Sequence, residues 1–259
     1  MGQRFVHTSA GNIRRGMFFL REYFFPFDCS ICGIHLAGID EAWYGLCDPC
    51  RANINQKFET MRAGENCNSC GKPLISEQDR CLSCRNGEER AFDRAAVLFP
   101  YTGTYRKLLK AYKFAGNPAL GNFFAEKIRK VMELGAIHND ACMVHGTIVP
   151  VPPRPGKIRT NGWDQVEFLA GLLERAGRSG GGFTVNRCLK RLPSKSQKEL
   201  GLEKRRTNLK GRIIPVRKVP KTAVVLDDVM TTGSTLDACA AALKEAGAET
   251  VYGLCLFYD

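Results

Sequence analysis

From residue 92 onward the apolar positions of this chain alternate between two spacings. "FDRAAVLFPY" is a short apolar run and predicts a strand. "YRKLLKAYKF" has helical spacing, and "NPALGNFFAEKIRKVMEL" predicts an amphipathic helix with Phe123, Phe124, Ile128 and Val131 on one side. "TIVPVP" predicts a strand stopped by Pro152 and Pro153. "DQVEFLAGLLERAG" predicts a helix closed by Gly177, and "SGGGF" a turn. Near the C-terminus "TAVVL", "STLDACAAALKEAGA" and "VYGLCLF" predict strand, helix and strand. Strands alternating with helices argue for an α/β fold, with a parallel or mostly parallel sheet covered by helices on both faces.

Before Phe92 that alternation is missing. The polar stretch "RNGEER" reads as a linker, so the expected division is residues 1–90 and 91–259. The early "RRGMFFLREYFFPF" is basic, then aromatic, and Arg21 and Glu22 interrupt it. No small-residue cleavage site follows it, and no run approaches the ~18 apolar residues of a membrane span. No membrane insertion and a cytoplasmic location are therefore expected, with Phe18, Phe19, Phe24 and Phe25 as a core-packing lead-in.

Composition is that of a globular chain, 44% hydrophobic and 25% charged, and suggests neither a disordered nor a fibrous class. The net charge of +12 is uneven: Lys190 to Lys221 holds twelve Lys or Arg against Glu199 and Glu203, a local net of +10. Such a block is a solvated face or mobile arm, or else a contact for phosphate or nucleic acid.

Eight of the twelve cysteines form C-x-x-C pairs: Cys29/Cys32, Cys47/Cys50, Cys67/Cys70 and Cys81/Cys84. Each C-x-x-C turn aims two thiolates at one point, and a second turn completes a tetrahedron around Zn²⁺. Gly33 and Gly71 follow the second cysteine of "CSICG" and "CNSCG", as in zinc knuckles. Two sequential ribbons and two structural zinc ions are expected, with a cross-braced pairing as the alternative and redox chemistry disfavoured by the repetition. A ribbon segment without a sizeable apolar core is expected to need its metal to fold. Cys142, Cys188, Cys239 and Cys255 are isolated and expected to be buried thiols.

In "VVLDDVMTTGSTL" an apolar strand runs into Asp227 and Asp228, then into Thr231, Thr232, Gly233, Ser234 and Thr235, and a helix starts near Ser234. Free N–H groups and the positive dipole end at a helix N-terminus attract phosphate. Like charge keeps the acids away from the phosphate and suits them to hydroxyl donors or a metal. A sugar phosphate satisfies both halves; an Asp-rich turn with a capped helix is the plain alternative.

This stretch resembles the phosphoribosyl-pyrophosphate motif of type I phosphoribosyltransferases. "IVPVP" with "NGWDQVEFLA", the segment "SQKELGLEKRRTNLKGRI" and the four C-x-x-C pairs narrow the resemblance to the competence-protein ComF family, from about Cys29 to the C-terminus. It implies a phosphoribosyltransferase-like domain behind a double zinc ribbon. It assigns Asp227 and Asp228 to the ribose hydroxyls and Thr231 to Thr235 to the 5′-phosphate. The loop holding Arg159 and Gly162 would face pyrophosphate, with Mg²⁺ bridging it to the ribose. The basic segment, including Arg191, Lys195, Arg205 and Arg206, corresponds to a hood loop. Where the family has Arg-Gly-Phe-Asn-Gln this chain has Asn161, Gly162, Trp163, Asp164 and Gln165; a positive charge is lost and an acid gained, with Lys157 and Arg159 close by. Ser194 stands where Thr is common.

Two functions follow from the resemblance. One is a Mg²⁺-dependent transferase acting on phosphoribosyl pyrophosphate and an acceptor. The other is a non-catalytic accessory of DNA uptake, binding single-stranded DNA or proteins of the uptake machinery through the ribbons and basic segment.

Overall fold

The computed structural model describes residues 27–87, 89–114, 116–133, 146–178, 184–193 and 211–259. The aromatic lead-in, Cys142, Ser194, Lys195, Arg205 and Arg206 lie outside the described residues. Two helices, α1 (Ile39–Tyr44) and α2 (Asp48–Ala63), belong to the first cysteine ribbon, and the four-residue α3 (Leu82–Arg85) to the second. Then come β1 (Arg94–Pro100), α4 (Gly103–Lys113), α5 (Ala119–Glu133), β2 (Thr147–Pro150), the short α6 (Lys157–Asn161) and α7 (Gln165–Ala176). A small hairpin, β3 (Leu189–Arg191) with β4 (Ile213–Pro215), precedes β5 (Thr222–Met230), α8 (Ser234–Glu245) and β6 (Thr250–Tyr258). No helix among the described residues is long and apolar enough to cross a membrane.

The main sheet has the order β1-β6-β5-β2, all parallel. Successive side chains of a strand point to opposite faces, and here both faces are buried, which is why "TAVVL" and "VYGLCLF" read as unbroken apolar runs. Val224 and Leu226 join one core with Tyr105 and Leu108 of α4, Phe123 and Phe124 of α5, and Leu169 of α7. Ala223 and Val225 join the other with Leu236, Cys239 and Leu243 of α8 and Leu189 and Ile213 of the hairpin.

The ribbons divide in the same way. Cys29, Leu36, Leu46, Ile54 and Phe58 pack into the first core, whereas Cys67 and Cys70 belong to the second. The first ribbon therefore shares an apolar core with the sheet, which its sequence pattern did not reveal. Ile54 and Phe58, one turn apart on α2, supply much of it.

Topology prepares a crevice. From β2 the chain goes through α7 to Val185, bridged in parallel to Ile148 on the outer side of β2. From β5 it goes through α8 to β6 on the opposite side. The connections part between β2 and β5, and open α/β sheets bind ligands at such a divergence, at the carboxyl ends of the strands. Pro150, the last residue of β2, pairs with Leu226, so the next two residues of β5, Asp227 and Asp228, stand just beyond the end of the shorter strand.

Candidate binding cleft and metal centres

The four thiols of Cys29, Cys32, Cys47 and Cys50 form one group and those of Cys67, Cys70, Cys81 and Cys84 another, each with all its sulfurs within 4.8 Å of one another. The pairing is sequential. A tetrahedron of sulfurs at zinc's ordinary bond length has edges of roughly 3.8 Å. The Cys32–Cys47 and Cys70–Cys81 Sγ separations, 3.6 and 3.7 Å, match that edge. Burial alone would raise the thiols of Cys29 and Cys67. Backbone N–H donors, from Cys32, Cys47 and Ile31 in one ribbon and from Cys70, Cys81 and Ser69 in the other, outweigh it and bring both down to about 7. Burial shifts the thiols of Cys47, Cys50, Cys70 and Cys84 the other way, and it is the four sulfurs at tetrahedral spacing that fit zinc in both groups.

The cleft between β2 and β5 has a volume of about 760 Å³. Asp227 and Asp228 lie within the paired length of β5, opposite Cys255 and its neighbours, so the strand runs on through the acids to Met230. Asp227 Oδ1 accepts the Asp228 backbone N–H at 2.9 Å. Burial first, then the charge of Asp228, push the Asp227 carboxyl up to about 8, against the pull of that N–H and of Lys113. Lys113, at the end of α4, sets its Nζ 2.5 Å from Asp228 Oδ2.

After the acids the chain enters the 231–235 loop. Gly233 takes φ +79°, a left-handed conformation that glycine adopts without strain, and acts as the N-cap of α8. Thr232 Oγ1 and Ser234 Oγ are 2.6 Å apart, and the Ser234 N–H reaches Thr232 Oγ1 at 3.4 Å. Thr231 and Thr235 line the cleft. Arg90, from the linker behind the second ribbon, supports the loop from beneath. Its Nη1 donates to Asp237 Oδ2 at 2.8 Å, the Ala91 N–H donates to Asp237 Oδ1 at 3.1 Å, and a methyl on Gly233 would lie 3.3 Å from the guanidinium.

The other wall comes from the loop after β2 and from the hairpin. Arg154, Lys157, Thr160 and Asn161 line it, with Arg191 of β3. Arg191 is only 8% exposed, and its buried Nε and Nη2 have no hydrogen-bond partner among the described residues. Burial, and next the charge of Arg154, lower its pKa from the usual arginine range. A buried donor without an acceptor is costly, and a bound anion would satisfy it.

Of the expected residues, Asp227, Asp228, Thr231 and Thr235 come together along the cleft. Arg159 is exposed on α6 and is not part of the cleft lining, nor is Gly162, whose φ of +77° closes that helix. Asp164 caps α7, accepting the N–H groups of Val166 and Glu167 at 3.0 Å each, and Lys157 Nζ meets its other oxygen at 2.5 Å. The acid gained at 164 is thus used locally, with Lys157 as its counter-ion. Arg154 and Lys113 were not singled out from the sequence. Lys113 comes from a helix 115 residues before its partner, and no local spacing signals that contact.

A larger groove of about 830 Å³ lies between the second ribbon, α2 and β1. It has no acid pair beside a helix N-terminus, so the chemistry points to the cleft.

No family model matches the chain. It is 29% identical over 213 residues to Competence protein ComFC of Streptococcus pneumoniae, covering 80% of this chain and 84% of that protein. It is 26% identical over 235 residues to Competence protein F of Haemophilus influenzae, covering 88% of this chain and 95% of that one. DNA utilization protein YhgH of Salmonella typhimurium is 25% identical over 232 residues, with 88% and 95% covered.

Proposed function

The chain belongs to the ComF family of competence proteins, and from that membership we propose that its cleft is a phosphoribosyl-pyrophosphate site in a phosphoribosyltransferase-like domain associated with DNA uptake. One observation carries the proposal: the acid pair stands between two anion-seeking places, the 231–235 helix start and the buried guanidinium of Arg191 beside Arg154. A ligand with neutral hydroxyls in the middle and phosphates at both ends satisfies all three. The loop takes the 5′-phosphate, Asp227 and Asp228 accept hydrogen bonds from the ribose hydroxyls, and the arginines take the pyrophosphate. The carboxylates of Asp227 and Asp228 are hard oxygen donors that suit Mg²⁺, which when bound would neutralise pyrophosphate charge.

In a transferase the bond from ribose C1 to pyrophosphate breaks, positive charge grows at C1, and an acceptor attacks there. Arg154 and Arg191 stabilise the leaving charge, and the carboxylates hold the ribose in place. This is electrostatic catalysis by groups fixed before the reaction.

Isothermal titration with phosphoribosyl pyrophosphate and Mg²⁺ tests the site. Binding is expected to weaken by about 100-fold or more in Asp227→Asn with Asp228→Asn, since two charge-assisted hydrogen-bond acceptors are lost. Unaltered binding in that variant would sink the assignment. Ribose donors prefer ionised Asp227, whose pKa is near 8. Affinity is therefore expected to rise with pH up to about 8 and then level off, with a proton released below that point.

A second reading rests on the +10 segment and on relatives named for competence and DNA utilization: the domain acts as a DNA-binding module. DNA affinity that falls steeply with salt, and is lost when the charges of 190–221 are reversed, would support it.

A further inference from the structure

The acid pair carries a cation of its own. Lys113 and Asp228 both line the cleft and meet at 2.5 Å. The backbone beneath this lysine is firmly held. Its carbonyl accepts the Gln165 Nε2 donor at 3.0 Å, and Gln165 Oε1 accepts from Lys157 Nζ at 2.7 Å. Tyr112 OH donates to the Gln165 carbonyl at 2.8 Å, and its ring meets Trp163 edge-on. Gln165 is buried, so the end of α4 cannot draw back without stranding its amide, at a cost of about 1–3 kcal/mol. The main chain at Lys113 is thus fixed, while its four-carbon arm remains able to swing.

A divalent metal ion on Asp228 would share a carboxylate whose Oδ2 Lys113 already engages. An ammonium and a dication on one carboxylate would sit about 4 Å apart and repel strongly. The same cleft contains Arg191, whose buried Nε and Nη2 have no partner among the described residues and suit an anionic ligand. We propose that Lys113 is the resident counter-ion of the acid pair and competes with divalent metal for Asp228, so that metal binding and release of Lys113 are one event. The freed ammonium then faces the cleft and adds a third cation toward the phosphates. The biological sense of this exchange rests on the phosphoribosyl-pyrophosphate reading; its test does not.

Mn²⁺ binding to the full, zinc-loaded chain, followed by electron paramagnetic resonance of the free ion with no sugar phosphate present, reads the competition directly. Lys113→Met is expected to bind Mn²⁺ about tenfold more tightly than the parent. Lys113→Arg keeps the parent affinity, and adding Asp228→Asn to Lys113→Met removes the gain. Equal affinity in parent and Lys113→Met, or equal tightening by Lys113→Arg, overturns the proposal. Should Lys113→Met fail to fold, amine acetylation of the unaltered protein decides: labelling of Lys113 rises severalfold when Mn²⁺ is added, and unchanged labelling overturns it. A chain that shows the exchange and ignores phosphoribosyl pyrophosphate would refute the ligand assignment alone.

Discussion

Gly33 and Gly71 close the two cysteine knuckles at the same φ, +73°. The hydrogen bonds around them also match: Cys29 N–H to Ile34 O and Gly33 N–H to Cys29 O in one, Cys67 N–H to Lys72 O and Gly71 N–H to Cys67 O in the other. Their neighbourhoods differ. A methyl group at residue 33 would meet nothing within 4 Å, whereas at residue 71 it would lie 2.3 Å from the Ala95 carbonyl oxygen. The first ribbon is moored through side chains: Asn117 Nδ2 donates to Ser30 Oγ, Asn122 Nδ2 to the Trp43 carbonyl, and Lys130 pairs with Glu59. The second is moored through main chain, with the Ala95 N–H donating to the Ser69 carbonyl at 2.8 Å. Identical local sequence grammar thus serves a ribbon that leans on the sheet and a ribbon joined to it.

The largest expected effect comes from the metal. Cys29→Ser and Cys67→Ser should each lose one of the two zinc ions by elemental analysis, forfeiting on the order of 10 kcal/mol of site free energy. In the first variant protease cuts are expected within 27–64. In the second they extend through Arg90 toward β1, because the main-chain join is lost. A shared cleavage pattern would erase the distinction.

Next come the glycines. Gly71→Ala should cost about 3 kcal/mol or more in urea unfolding, combining left-handed strain with a backbone clash. Gly33→Ala meets the strain alone, about 1–2 kcal/mol. Equal costs would mean that the second knuckle can slide off the strand. Arg90→Met, which breaks the link from the second ribbon to the 231–235 loop, should cost about 1–3 kcal/mol and reduce the rise in Tm produced by inorganic phosphate. Asn122→Ala, at the first ribbon, should cost only about 0.5–1.5 kcal/mol and speed amide exchange there without changing the phosphate response.

What was legible in the sequence was whatever nearby residues decide. The C-x-x-C turns, the two apolar strands and the helix start at Ser234 each depend on a few adjacent positions. Helix α2 escaped because a 16-residue helix that buries only Ile54 and Phe58 has almost no periodic signal. The cations of the cleft were only partly legible, for a different reason. Arg191 was named within the basic segment, but Arg154, Arg191 and Lys113 come from three separate elements, and only the fold brings them to one cleft. Asp164 stood out as a charge gained in a basic neighbourhood; its function as a helix cap appears once Val166 and Glu167 turn their N–H groups toward it.

The main-chain join between Ala95 and Ser69 also bears on solubility. A sheet ends in two strands whose outer N–H and C=O groups invite pairing with another molecule. On the β2 side, residues 184–186 take up that position, with the Ile148 N–H donating to Thr184 O and the Asn186 N–H to Ile148 O. On the β1 side the second zinc knuckle covers the head of the strand. A metal held in that knuckle would therefore also guard against edge-to-edge aggregation, and a zinc-starved chain should precipitate at lower concentration than the zinc-loaded one.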